Sequence, residues 1–145
     1  MRCKSCFAVG LALAISALAW GDDAKNAKSI EGSWIPTAAE LAGQPFPEEV
    51  RKTIKLVIKD DKYTVTVGPA VDQGTLKLDT SAKPMALDIT GTEGPNKGKT
   101  ILAIYELDGD KLKICYDLSG KSRPGEFKTE ENTQLFLVTY QRENG

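Results

Sequence analysis

Apolar side chains in this chain recur at every second position, segment after segment, and that spacing restricts the segments to strands with one face covered. Ile54, Leu56 and Ile58 interleave with Lys55 and Lys59; Tyr63, Val65 and Val67 interleave with Thr64 and Thr66; Leu76 and Leu78 flank Lys77. The pattern resumes at Met85, Leu87 and Ile89 around Asp88, becomes wholly apolar through residues 101–105, and returns at Leu112, Ile114 and Tyr116. With residues 30–35 and 135–140 included, the segments number eight.

Their connections are short and carry turn chemistry. Asp108-Gly109-Asp110 supplies the positive φ angles of a tight hairpin, and Asp60-Asp61 and Gly68-Pro69 read as turns, the first without a glycine to secure it. The helical candidate is 47–52, where Pro47 suits an early position and Glu48 and Glu49 suit the first turn. Neighbours in sequence then become neighbours in space, and eight antiparallel strands hide both sheet edges by curling until the last pairs with the first. The expected fold is all-β: an eight-stranded antiparallel up-and-down barrel with one short helix. A two-sheet sandwich is the rival, since spacing alone does not separate the two.

The first residues follow different rules. Arg2 and Lys4 precede an apolar run, 7–18, which ends in the small residues around Ala17-Leu18-Ala19. That order is the order of a signal peptide. A membrane span needs ~20 apolar residues, more than this run has before Trp20-Gly21-Asp22-Asp23. An uncleaved amphipathic anchor is the alternative. The 145 residues therefore divide into a signal peptide (1–19), a flexible linker (20–29) and a single barrel domain (30–145). The expected location is extracytoplasmic, periplasmic or secreted, with no stable membrane span after cleavage.

Loss of the leader removes Cys3 and Cys6 and leaves Cys115 alone, so no internal disulfide can form, and Trp20 stands where a lipid anchor would need a cysteine. It also lowers 19 basic residues to 17 against 20 acidic ones, a formal charge of −3. Lysines and acids alternate along the chain with no basic stripe, which argues against a nucleic-acid partner.

Residues 93–100, EGPNKGKT, invite comparison with a phosphate-binding loop. Such a loop needs four residues between its glycine and Gly-Lys-Ser/Thr, with a helix following; here Gly94 is followed by three, and then by the strand-like Ile-Leu-Ala-Ile-Tyr. The stretch is read as a turn. Histidine is absent from the sequence, which removes Ser-His-Asp and Cys-His catalysis and imidazole metal sites. Carboxylate pairs occur at Glu48-Glu49, Asp60-Asp61, Asp108/Asp110 and Glu130-Glu131, all in expected turns, loops or a helix start, where solvated charge is the plain reading. No catalytic residue, metal or cofactor is expected.

Gly32-Ser33-Trp34, at the head of the first strand, resembles the lipocalin signature. That resemblance implies that Trp34 seals one end of the barrel while Arg142, near the end of the last strand, lies across its ring; Gly32, Trp34 and Arg142 are the expected closure residues. Residues 30–34, 93–100, 104–110 and 123–127 occur together in an order that resembles a planctomycete lipocalin-like domain family of unknown function, across nearly all of 30–143. Asp60-Asp61 departs from it, where a glycine-containing turn is more usual. The resemblance implies a fold and an exported location and carries no catalytic residues.

An eight-strand barrel is about wide enough to be filled by side chains or to hold one small ligand. By parity the inward set includes Leu56, Ile58, Tyr63, Val65, Leu76, Leu78, Leu87, Ile89, Leu112, Ile114 and Tyr116, with no charge among them. Binding of a small apolar ligand is the first expectation, with the hydroxyls of Tyr63, Tyr105 and Tyr116 orienting it and Met85 as an adaptable wall; for each of these residues taken singly, ordinary core packing is the favoured reading, since any barrel needs such inward positions. The alternative is a solid barrel acting as an extracytoplasmic protein–protein interaction module through loops 36–47 and 119–132, with Lys121-Ser122-Arg123-Pro124 as contact segment and the partner unknown. A hydrolase using carboxylates comes last. The leader is checked by the intact mass of protein recovered from the envelope or medium: a product beginning near Trp20 is expected, and recovery of the uncleaved chain refutes it.

Overall fold

A computed structural model describes residues 30–143, so the expected leader, linker and cleavage point lie outside the described residues. The elements run β1 (Gly32–Leu41), β2 (Gln44–Pro45), α1 (Glu48–Arg51), β3 (Ile54–Lys59), β4 (Lys62–Val67), β5 (Ala70–Asp79), β6 (Met85–Glu93), β7 (Thr100–Asp108), β8 (Lys111–Asp117) and β9 (Leu135–Arg142). Apart from the two-residue β2, every strand pairs antiparallel with its successor in the chain, and β1 also pairs with β9. The result is a closed eight-stranded up-and-down barrel, lipocalin-like in shape, with one short helix. The sandwich is excluded.

Closure depends on how β1 divides its hydrogen bonds. Its first residues, Gly32 to Trp34, pair with Ile58 to Leu56 of β3, while Trp34 onward pairs with β9 from Arg142 back to Phe136. A bulge between Pro36 and Ala38 lets the strand bend between these neighbours, and proline, which has no N–H to give the ladder, sits at the irregularity. The expected first strand, 30–35, is thus too short: β1 continues to Leu41 and turns back through Ala42 and Gly43, both at positive φ, into β2. What was expected to be a loop at 36–47 is mostly hairpin. The other turns fall where the sequence puts them, with Asp60 itself adopting φ 56° in place of the missing glycine, Gly68 at 60° and Gly109 at 61°.

The base of the barrel is where Trp34 lies, fully buried, its indole N–H donating to the Ile30 carbonyl at 2.9 Å. The Arg142 guanidinium sits 4.3 Å from the Trp34 ring centre and donates to the Glu31 carbonyl (2.5 Å) and to Asp110 (3.0 Å). A cation over an indole is worth ~0.5–2 kcal/mol, and here it joins the first strand to the last. Gly32, at φ 131°, takes a backbone shape that other residues adopt with strain, and a Cβ there would press on the Arg142 guanidinium at 3.0 Å. The three closure residues therefore meet.

Inside, the alternating residues form one apolar cluster, including Leu56, Ile58, Leu76, Leu87, Ile114 and Val138. Burial of such a side chain contributes roughly 1.5–3 kcal/mol. Ala86, Ile104 and Cys115 have the opposite parity and are buried too, which accounts for the wholly apolar run at 101–105. Residues 123–128 lie over this outer face: the Cys115 thiol contacts the Lys128 carbonyl, Lys113 sits over the Phe127 ring, and Arg123 donates to the Leu87 and Ala103 carbonyls and pairs with Asp88 at 2.6 Å. Arg123, expected in a contact loop, straps that loop to the barrel wall. Among the described residues no helix is long and apolar enough to cross a membrane. Trp34→Ala should cost about 3–5 kcal/mol in urea unfolding as a large-to-small core change; a loss under about 1 kcal/mol, typical of surface positions, would refute the plug.

Candidate functional site

The barrel is packed solid around Trp34 and hollow toward the opposite end. A cavity of about 260 Å³ occupies the lumen and opens toward solvent among the connections at 42–53, 68–69 and 94–99. Its walls are aliphatic side chains of β3 to β8, among them Ile54, Leu56, Ile89 and Ile101, with Phe46 and Phe136 near the mouth. Phe136 stacks on Tyr116 at 5.6 Å and lies 5.3 Å from Phe46, so residues before and after the barrel's middle strands form one aromatic wall. Val67, on the rim, is 40 % exposed.

Strand register explains which polar groups reach this space. On β5 the inward series runs Leu78, Leu76, Gly74, Asp72, and Asp72 lines the cavity. Its carboxylate accepts three hydrogen bonds: from the Tyr63 hydroxyl (3.2 Å), the Asn96 amide side chain (2.9 Å) and the Asn96 backbone N–H (3.3 Å). An inward-facing charge was not expected. Apolar residues mark only 76–78 of a strand that begins at Ala70, and the parity of Leu76 carried back through Gly74 was the signal that could have found Asp72.

Asn96 comes from the loop that resembles a phosphate cradle. That loop does join two strands, and its geometry is a folded-back turn: Lys97 N–H donates to the Gly94 carbonyl, Gly98 N–H to Gly91, and Gly91 N–H to Lys99. Gly94, at φ 93°, lies so close to β5 that a Cβ would strike the Val71 carbonyl. The glycines thus permit close approach of loop to sheet, and the approach delivers Asn96 to Asp72.

Of the expected ligand-facing residues, Tyr63 and Tyr116 line the cavity; Tyr105 and Met85 do not. Parity fixes the face of a strand residue, not its depth along the barrel axis. Tyr105 is buried in the core cluster and pairs in register with Met85, which packs partly buried against that cluster. Tyr140, absent from the expected set, lines the cavity instead, its hydroxyl 2.8 Å from that of Tyr116. Such a pair uses one of its two O–H protons internally and leaves the other to a further acceptor.

Burial pushes the Tyr116 hydroxyl well above its ordinary range and Tyr140 up to about 12. Burial, then the charge and hydrogen bond of Asp72, pushes Tyr63 up as well. The thiol of Cys115 is raised chiefly by burial and lies outside the lumen, which makes it an inert packing group rather than a nucleophile. The carboxylate pairs at Glu48-Glu49, Asp60-Asp61, Asp108/Asp110 and Glu130-Glu131 are all exposed, and none lines the lumen. A second depression, on the outer face of β7 to β9, is bounded by Glu106, Asp108, Lys111, Lys113 and Thr139, a surface of mixed charge without apolar walls.

Family models and curated proteins, when compared with the chain, give no match.

The tyrosine pair makes stability depend on alkaline pH. Both hydroxyls stay neutral in the folded state, whereas an unfolded tyrosine ionises near ~10, so their contribution is complete below that pH and is lost as pH rises through about 12 for Tyr140. Urea unfolding at increasing pH should show stability falling above ~10 by up to about 1.4 kcal/mol per pH unit for each buried tyrosine. Tyrosinate absorbance should show fewer than the chain's four tyrosines ionising while it remains folded; ionisation of all four near pH ~10 would reject the buried pair.

Proposed function

We propose that this protein is an exported, non-catalytic binding domain that holds one small apolar molecule in the lumen of its barrel. The observation that carries this reading is the hollow itself: a cavity of about 260 Å³, walled mostly by aliphatic and aromatic side chains and open at one end. Ligand sites are typically concave, mostly apolar and furnished with a few placed polar groups, and the polar groups here are Tyr63, Asp72, Asn96, Tyr116 and Tyr140. An apolar cavity of ~150 Å³ accepts a benzene, so this one suits a ligand of about ten non-hydrogen atoms. The resemblance to lipocalin-like domains implies such a barrel and an exported location, and the leader-like residues 1–19 support export. Binding rather than catalysis agrees with a sequence that has no histidine and places its paired carboxylates in solvent.

Native mass spectrometry of protein purified from its own host should show a small mass increment that disappears on denaturation. Ile89→Phe, which fills the lumen from one wall, should abolish that increment while the protein stays folded, because the added atoms enter empty space. Repeatedly empty preparations, together with no thermal shift from a panel of lipophilic dyes, would overturn the reading.

A further inference from the structure

Asp72 is the one formally charged residue among those lining the lumen, and no lysine or arginine lies among the lining residues. Among the described residues no basic group forms an ion pair with it; the ion pairs involve Asp88, Asp110, Glu48, Glu126, Glu130 and Glu143 instead. A carboxylate offers about four lone-pair sites. Three are filled: Oδ2 accepts from the Tyr63 hydroxyl and the Asn96 side chain, and Oδ1 accepts the Asn96 N–H alone. Neutral donors stabilise the charge without cancelling it, and one site on Oδ1 is left for a further donor.

The surroundings favour a cation at that position. Tyr63 donates its proton to Asp72, so its oxygen presents lone pairs, and the hydroxyl pair of Tyr116 and Tyr140 adds further acceptors within the same lumen. Tyrosine and phenylalanine rings among the lining residues add aromatic surface, which attracts a cation more than an anion. An anion entering the same space would meet the Asp72 carboxylate with no cationic side chain among the lining residues to offset it.

Resting on the reading of the lumen as a binding site, we propose that its ligand is a small amphiphilic amine, whose ammonium group docks on Asp72 while its apolar body fills the cavity. Asp72 then has two roles: it anchors Asn96, and with it the loop 94–99, over β5, and it selects the head group of the ligand. The selection is by charge and donor count, and the apolar walls set the length of the tail.

The test compares three probes of one chain length on the purified product of the full chain, by calorimetric titration at neutral pH: octylamine, octanol and octanoate. Octylamine, an ammonium at that pH, should bind at least about tenfold more tightly than octanol, with octanoate weakest; a tenfold ratio corresponds to ~1.4 kcal/mol. In Asp72→Asn the advantage of the amine should vanish while octanol still binds. The ranking on the unmodified protein decides the matter even if that variant misfolds. Binding of octanol with no preference for the amine overturns the head-group assignment alone and leaves the cavity reading standing. Failure of all three probes to bind overturns both.

Discussion

The pairing of β1 with β9 is the constraint on which the rest depends. Every other strand pair is made by chain neighbours through short turns, whereas this pair brings together residues about as far apart as the fold permits, Trp34 opposite Arg142 and Leu41 opposite Phe136. Closing so long a loop is entropically costly, though the cost grows slowly with length, and it is offset only if the seam forms many contacts at once. The ladder supplies hydrogen bonds along most of β1, and the Trp34–Arg142 stack fixes its register at the base. Without the seam, β1 and β9 would be open edges and the alternating residues of both would face water.

Closure produces a lumen whose two ends differ. Around Trp34 the side chains fill the space; toward the loops the wall residues of β3 to β8 do not reach one another. The polar groups that line that looser end are tied to partners: Tyr63 to Asp72, Asp72 to Asn96, Tyr116 to Tyr140. A buried polar group without partners is costly, so this network is also what allows a carboxylate to sit among aliphatic walls. The loop 94–99 belongs to the same network through Asn96.

Much of the architecture was legible because strand period, turn chemistry and edge avoidance all point to one solution. The eight strands, the helix beginning after Pro47 and the turns at 60–61, 68–69 and 109–110 follow from local residue types. Strand ends were less legible: β1 continues through Pro36 and Thr37 because tertiary pairing with β9 overrides a poor local pattern, and β5 extends back to Ala70 through Asp72 and Gly74, which carry no apolar signal. The candidate site suffered from the same gap. Parity put Tyr63 and Tyr116 inward but carried no depth, so Tyr105 and Met85 were grouped with them; Asp72 lay on the parity of Leu76 but beyond the apolar stretch that marked the strand, while the approach of Asn96 and the pairing of Tyr140 with Tyr116 depend on contacts between segments distant in sequence. The burial of Ala86, Ile104 and Cys115 outside the barrel required knowing where residues 123–128 fold.

The up-and-down connectivity also determines where the described chain enters and leaves. Ile30 lies beneath the indole at the plugged base, and Glu143 leaves the last strand there, its N–H bonded to the Ser33 carbonyl at 2.7 Å. Both ends of the folded unit therefore emerge on the side away from the mouth. A tether attached at either terminus would hold the barrel by its floor and leave the entrance unobstructed, facing outward from whatever surface held it.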